Sequence, residues 1–364
     1  MDVVFDHHAF CLQRVGGISR YFCELGARIA RVEGVRARVL APAHRNALLA
    51  RCEGLVEGRY LPLPQGAYGP LMAFDFVATR LGPSRGPARA VVHETFYGWT
   101  AGNAVRGPRV TTVHDMIHEL FRGQFGLADS TVSRKRRSIA RADRVLCVSE
   151  TTRRDLLARV AIAPERVAVV HHGCTLAPPG ALPPGVADRP FVLYVGAREG
   201  YKNFSGLLGA WSASARLSRD GRIVAFGGGP LRASERREAA RHGLDPTRLV
   251  HAHGGDETLS ALYRAARATV VPSLYEGFGL PVLEAMQAGC PVAIADRGAL
   301  PEVADGAAEA FDPRDTGSMR AALERVFYDE PARAALVARG TARARAFSWD
   351  RCATETLAHY RALW

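Results

Sequence analysis

Residues 271–288 read V-P-S-L-Y-E-G-F-G-L-P-V-L-E-A-M-Q-A, and the fold follows from how this run changes its period. Continuous apolar residues end at Val271, a loop holding Gly277 and Gly279 turns the chain, and Pro281 stands where a first helical turn accepts an imino acid. A buried strand that passes through a glycine turn into a helix is the repeating unit of a parallel α/β sheet. The helix start leaves backbone N–H groups unpaired at the positive end of the helix dipole, which suits a phosphate or the hydroxyls of a sugar. Glu276 and Glu284 flank this turn. Carboxylates repel a bare phosphate but accept hydrogen bonds from hydroxyls, so the pair points to a polyol such as ribose or hexose. For either glutamate alone, a turn-forming or solvated role is the simpler reading.

The alternation continues outward on both sides. After residue 190 it predicts strands at 191–195, 222–226, 248–251, 268–271 and 291–295, with helices at 204–215, 231–241, 257–266, 281–288 and 318–328. Before residue 176 it predicts strands at 3–5, 38–40, 90–92, 110–113, 144–148 and 167–170, with helices at 18–29, 71–81, 129–141 and 149–159. Between them, 176–190 holds Pro178, Pro179, Pro183, Pro184 and Pro190 with Gly180 and Gly185, and reads as a linker. The chain of 364 residues therefore divides into a first domain, 1–175, and a second, 191–346. Two doubly wound domains are expected to leave a ligand cleft at the carboxyl edges of their sheets.

Composition narrows the partners. With 48% hydrophobic and 23% charged residues the chain is an ordinary globular protein, and its net charge of +12 calls for something anionic: phosphate, nucleic acid or an acidic membrane face. No aromatic interleaving or finger-like spacing supports nucleic acid. The basic run Arg134, Lys135, Arg136, Arg137, Arg141, within 134–141, reads first as a solvated helix face and second as a dock for anionic lipid. Lysine occurs only at Lys135 and Lys202; every other basic residue is arginine. The seven cysteines lack a C-x-x-C pair and fit a reducing compartment. Asp2 and Asp6 stand where a signal peptide carries basic residues, and no apolar run approaches ~18 residues. The expected location is cytoplasmic, with peripheral contact at the inner face of a membrane left open.

Set together, these stretches resemble a known family. Residues 271–288 are similar to the E-x7-E motif of retaining family 4 glycosyltransferases, and the likeness runs through F-D-H-H-A-F at 5–10, G-G-I-S-R-Y at 16–21, T-V-H-D-M at 112–116 and V-S-E at 148–150. It continues with Y-V-G-A-R-E-G-Y-K-N-F at 194–204, G-G-G-P at 227–230, L-P-E-V at 300–303 and F-S-W at 347–349. The resemblance implies a GT-B fold of two Rossmann-like doubly wound domains with an interdomain cleft. It also implies a C-terminal segment, 347–364, that crosses back to the first domain. By the same resemblance Glu284 binds ribose hydroxyls of a nucleotide sugar, Glu276 lies near the donor hexose, and the N–H groups of Gly277, Phe278, Gly279 and Leu280 face the sugar and diphosphate.

The other site residues follow from that chemistry. Breaking a glycosyl–phosphate bond leaves a diphosphate whose growing charge a metal or fixed cations must meet. The chain contains no D-x-D sequence, so no metal is expected and the task falls to the loop opening at Gly196, with Arg198 and Lys202. Relatives place an arginine directly before that lysine, where this chain has Tyr201, which weakens the transfer to Arg198. His114, at a strand end, matches a family histidine beside the donor sugar. Gly16 and Gly17 match backbone positions near the diphosphate, although a tight turn explains that dipeptide equally well. Gly227 to Gly229 do not form G-x-G-x-x-G, which argues against a nicotinamide cofactor.

The expected activity is transfer of a hexose with retention from a nucleotide sugar to a saccharide or lipid-linked acceptor. GDP-mannose is the first donor, a UDP-hexose the alternative, and no cofactor is needed. A silent nucleotide- or glycan-binding scaffold and a nucleotide-sugar epimerase are the rival readings.

Overall fold

A computed structural model describes residues 1–81, 86–98, 104–126 and 128–364. The chain forms two units, Met1–Gly173 together with Trp349–Trp364, and Cys174–Ser348.

The first unit is built on seven parallel strands: β1 (Asp2–Phe5), β2 (Arg36–His44), β3 (Val56–Tyr60), β4 (Val91–Glu94), β5 (Arg109–Val113), β6 (Arg144–Cys147) and β7 (Val167–Val169). They lie in the order β3-β2-β1-β4-β5-β6-β7, so strand order reverses beside β1. Both faces are covered, which is why the central strands are apolar throughout. Val3 and Phe5 pack with Phe22, Leu25 and Ile29 of the helix Gly17–Ile29, whereas Val4 turns to the other face with Leu40, Val92 and Val105. The helix Trp349–Leu363 closes the first of these cores with Trp349, Cys352, Leu357 and Tyr360. Arg28 Nε donates to Asp350 Oδ1 at 2.8 Å across the same contact.

The second unit holds six parallel strands: β8 (Phe191–Val195), β9 (Arg222–Phe226), β10 (Leu249–Ala252), β11 (Ala268–Val271), β12 (Val292–Ala295) and β13 (Glu309–Phe311). Their order, β10-β9-β8-β11-β12-β13, reverses between β8 and β11. A crevice at that reversal is where ligands bind in sheets of this kind, and the loops after β8 and β11 are the two that carry Lys202 and Glu276.

Several elements differ from the sequence expectation. β2 runs well past residue 40, and β3, β13 and the helices His8–Leu12, Leu300–Ala304 and Glu330–Ala344 are additional. The helix expected over 204–215 is two, Phe204–Ser212 and Ala215–Asp220, because Ser214 caps the second by accepting from Leu217 N at 3.2 Å. The proline-rich stretch 176–190 is not a loose tether: Leu176 N donates to Gln287 Oε1 at 3.1 Å and Gly180 N to the Glu257 carbonyl at 2.9 Å, fastening it to the second unit.

Leu357 is 4% exposed in the first unit's core. Leu357→Ala is expected to cost about 2–5 kcal/mol, read by chemical denaturation of the full chain. A loss under about 0.5 kcal/mol would show that the C-terminal helix adds nothing to that core.

Candidate functional site

In the second unit the two loops at the strand-order reversal are joined by specific bonds. Asn203, in the left-handed conformation at φ 55°, donates its side-chain amide to the carbonyls of Pro272 (3.1 Å) and Pro313 (2.9 Å). Leu274 N donates to the Tyr201 carbonyl at 2.7 Å. These bonds bring Lys202 to Glu276: Lys202 Nζ donates to Glu276 Oε1 at 2.7 Å, and Ser273 Oγ donates to the same oxygen at 2.6 Å. The turn after Glu276 is held from behind by Gly298. A Cβ there would sit 2.7 Å from Glu276 N and 2.8 Å from its carbonyl oxygen, so only glycine fits. Ala299 N then donates to the Glu276 carbonyl at 3.0 Å.

Gly279, at φ 106°, precedes the helix Leu280–Gln287, with Pro281 in its first turn. The Phe278 side chain is buried edge-on to Phe347 and leaves only its backbone to a ligand. Glu284, one turn into the helix, accepts from the Tyr263 hydroxyl at 2.8 Å. Burial keeps Tyr263 well above its ordinary pKa and therefore a donor. Sequence reasoning misses Tyr263 and Gly298, because each acts through an element remote in the chain, and Ser273, three residues from Glu276, because a serine in a loop does not announce its partner.

Gly196, at φ 127°, opens the loop after β8. The sequence places Arg198 among the leaving-group cations, but the structure turns it inward. Its Nε donates to Glu235 Oε1 at 2.9 Å, one terminal nitrogen donates to the Gly227 carbonyl at 2.6 Å, and the other to the Gly229 carbonyl at 2.8 Å and the Pro230 carbonyl at 3.1 Å. Burial would raise Glu235, yet hydrogen bonds from Arg198 and Arg232 hold it below the usual carboxylate range. The guanidinium thus braces three successive left-handed glycines, Gly227, Gly228 and Gly229. Beside this loop lies an open cavity of about 610 Å³ lined by Phe226, Gly227, Gly229, Pro230, His251 and His253. His251 Nε2 is buried there with no hydrogen-bond partner among the described residues.

In the first unit His114 follows β5. Its ring stacks on His172 (5.7 Å, 5°) and meets Tyr21 edge-on (5.4 Å, 83°). Nε2 is buried without a hydrogen-bond partner among the described residues. Burial lowers His114 to about 3, helped by the nearby His93 and Lys135, so the imidazole is neutral near pH 7. Gly16 is extended, at φ −176°, and caps the helix that carries Tyr21. A side chain on Gly16 would strike Gln13, whose Oε1 accepts from Ser19 N at 3.1 Å, so Gln13 occupies part of the helix start expected to be open.

The basic run is not a uniformly solvated face. Lys135 is 1% exposed and donates to the Asp115 carbonyl and to Glu119 Oε2, both at 2.8 Å. Arg141 donates to Glu94 Oε2 at 3.0 Å. Only the Arg136, Arg137 and Ala140 positions of this helix's second half face solvent. A second buried cluster was not anticipated: Asp6 accepts from the Thr95 hydroxyl at 2.6 Å and pairs with His8 Nδ1 at 2.9 Å.

Comparison with known proteins adds the family. The chain matches the family described as glycosyl transferases group 1 over residues 184–343 and glycosyltransferase family 4 over residues 15–177. It is 32% identical to O-antigen chain mannosyltransferase B of Escherichia coli over 62% of this chain and 62% of that protein. It is likewise 32% identical to the MMP alpha-(1->4)-mannosyltransferase of Mycolicibacterium hassiacum over 63% of this chain and 56% of that one. The chain's match thus spans about six tenths of the length of those two relatives. A D-inositol 3-phosphate glycosyltransferase of Actinosynnema mirum is 29% identical over 95% of this chain and 92% of its own. Among solved structures, sucrose-phosphate synthase from Thermosynechococcus elongatus has a TM-score of 0.76 at 22% identity, covering 100% of this chain and 98% of that one. Anabaena HepE in complex with UDP-glucose has 0.72 at 17%, covering 99% and 100%. These likenesses establish the fold, GT-B, in agreement with the sequence reading.

Two predictions come from the buried charges. Lys135→Met leaves Glu119 buried without its cation and is expected to cost about 3–5 kcal/mol, read by denaturation; a change within about 0.5 kcal/mol would contradict the pairing. His7, His93 and His114 are each lowered to about 3, in every case chiefly by burial. The unfolded chain takes up these protons below about 6.5 while the folded one excludes them. Stability is therefore present above that pH and lost as pH falls toward 4. His8, raised beside Asp6, and Asp75, raised to about 6 by burial, work in the opposite sense and are outnumbered. A melting temperature that is flat from pH 7 to 4.5 would refute this balance.

Proposed function

The chain belongs to the group 1 and family 4 glycosyltransferases, and on that footing we propose that it is a retaining hexosyltransferase that moves a sugar from a nucleotide donor to a saccharide or lipid-linked saccharide acceptor in glycan biosynthesis. The observation that carries this reading is the cluster at the β8–β11 reversal: one cation, Lys202, on a glutamate that precedes a helix N-terminus, with a second glutamate eight residues on held by a buried tyrosine.

In this reading Glu284, oriented by Tyr263, grips ribose hydroxyls, and Gly196 lets the backbone approach the diphosphate. The N–H groups at Gly277, Phe278, Gly279 and Leu280 meet the donor's hexose and phosphates. Gly16 and Gly17 are assigned to the diphosphate side as well, by backbone contact. Lys202 shares its charge between Glu276 and the departing diphosphate, which removes the need for a metal. Arg198 contributes by fixing the glycine loop that edges the 610 Å³ cavity, the place we assign to the nucleoside.

The bond from C1 of the hexose to the phosphate oxygen breaks, and a bond from the acceptor oxygen to C1 forms on the same face. The acceptor's proton passes to the released phosphate. His114, neutral at working pH, is assigned to the hexose, as a hydrogen-bonding partner through its unpaired Nε2.

The names of two relatives, both mannosyltransferases, support mannose as the sugar, and GDP-mannose is taken as the first donor. The complex of HepE with UDP-glucose keeps a UDP-hexose as the second. A lipid-linked acceptor also implies contact with a membrane surface.

Thermal-shift measurements with GDP, UDP, ADP and dTDP and their sugars name the base, because a ligand that binds only the folded state raises the melting temperature. Lys202→Ala is expected to weaken nucleoside diphosphate binding about tenfold or more, ~1.4 kcal/mol, and Glu284→Ala to weaken free nucleoside and diphosphate alike. Chelation with EDTA is expected to leave turnover unchanged. Unaltered donor affinity in both variants would remove the site assignment.

A further inference from the structure

Many arginines of this chain are already spent on a partner. Glu94 receives Arg141, Glu235 receives Arg198 and Glu57 receives Arg38. Even the exposed Arg153, Arg219 and Arg351 close on a neighbouring carboxylate. Two arginines of the first unit differ, because they line the same cavity, about 280 Å³ in volume, and neither guanidinium makes a hydrogen bond or ion pair among the described residues. They are Arg122 and Arg136. After β5 the chain forms the short helix Ile117–Leu120, the turn Arg122–Gln124 and the helix Thr131–Arg141. Val132, Ser133 and Arg136 fall at three- and four-residue spacing, so one face of the last helix supplies them. His118 and Phe125, from the preceding segments, stack at 4.0 Å and 23° and form the facing wall.

The other polar groups of the lining are engaged. Asp129 is its one acid: Oδ1 accepts from Thr131 N at 2.7 Å and Oδ2 lies 3.4 Å from His118 Nε2. Burial would raise this carboxyl, yet Thr131, His118 and Arg134 hold it below the usual carboxylate range. The Ser133 hydroxyl donates to the Ser130 carbonyl at 2.9 Å. The unspent cationic donors are therefore the two guanidinium groups, and each presents a planar fork that fits a carboxylate or a phosphate with two parallel bonds. We propose that this cavity binds a saccharide through an oxyanion that the sugar carries, held by Arg122 and Arg136. A volume near the ~300 Å³ lower limit of small-molecule sites admits one anionic group and one ring, the ring resting on Phe125 and Val132. A second cavity, about 380 Å³, shares Arg136 and continues along Ile139, Val160 and Ile162. Its other cations are occupied, Arg159 by Asp155 and Arg166 by the Ala142 carbonyl. A longer glycan thus meets charge at its first ring and uncharged surface beyond it.

The proposal rests on the preceding reading only in that the saccharide is then the acceptor; its test needs no turnover. The full chain is titrated in a calorimeter with glucose, glucuronate and glucose 6-phosphate, which share a ring and differ in the group on one carbon. The expected result is that at least one of the two anionic sugars binds tenfold or more tightly than glucose. Tighter binding of glucose 6-phosphate assigns the oxyanion as a phosphate, tighter binding of glucuronate as a carboxylate, and either supports the site. Arg122→Ala and Arg136→Ala are each expected to weaken that binding at least tenfold. Arg137→Ala removes the same charge from the same helix outside the cavity, and is expected to keep more than half of the affinity. Lys202→Ala, in the second unit, is expected to keep it as well. An unchanged melting temperature and unchanged stabilisation by nucleoside diphosphate verify that the arginine variants fold. Equal binding of the three sugars, or none, overturns the proposal. Loss as large in Arg137→Ala reduces the effect to general surface charge and overturns it. Loss in Lys202→Ala with Arg122→Ala and Arg136→Ala unaffected moves the anion to the nucleotide loops and overturns it too. None of these results touches the glycosyltransferase reading, which fails separately if no nucleotide sugar stabilises the protein.

Discussion

Asn203 occupies a conformation that an L-residue adopts at a cost, and its amide is what makes that conformation worth holding. By donating to Pro272 and Pro313 it locks the turn after β8 to the loop after β11, on either side of the point where strand order reverses. Together with the bond from Leu274 N to the Tyr201 carbonyl, that lock orders both loops, so the 2.7 Å ion pair between Lys202 and Glu276 does not have to overcome their entropy alone. Gly298 and the helix Glu330–Ala344 support the same site from behind. Gly340 of that helix lets Met286 approach to 3.0 Å of where a Cβ would stand, so the helix bearing Glu284 is backed by close packing.

Cations in this protein divide by geometry. Arg198 has five donors in a planar fork, and the carbonyls of a left-handed glycine loop with one carboxylate satisfy nearly all of them. Lysine is a compact charge with three donors on a flexible stem. Lys135 fits between the Asp115 carbonyl, Glu119 and the Tyr97 ring, and Lys202 reaches Glu276 from a short turn.

The amino-acid sequence was most informative where a chemical task and a local period coincide. Strands β8, β9 and β11 have the bounds read from their apolar runs, because a strand buried on both faces admits nothing else. The turn at Gly279 and the helix start at Pro281 were legible for a similar reason: their local backbone chemistry fixes them. Glu330–Ala344 was not, since only Leu336, Gly340 and Ala344 are buried and alanine and arginine leave no apolar stripe to detect. Arg198 was misplaced because a charge on a glycine loop reads as exposed until Glu235, thirty-seven residues on, is seen to receive it. Tyr263 and Asn203 were illegible as partners for the same reason of distance. A solvated helix face and a buried lysine cannot be told apart in a run of arginines, which is why 134–141 was read as surface.

The assignment of Trp349–Trp364 to the first unit has a consequence for biosynthesis. Residues 174–348 are contiguous, so the second unit has all of its own chain before residue 349 is made. The first unit, although begun earlier, lacks Trp349, Leu357 and Tyr360 until residues 349–364 have been made, and its open side exposes Phe22, Leu25 and Ile29 in the meantime. The usual vectorial order is therefore inverted, and the earlier-made half is the one that depends on protection against aggregation until its last helix has been made.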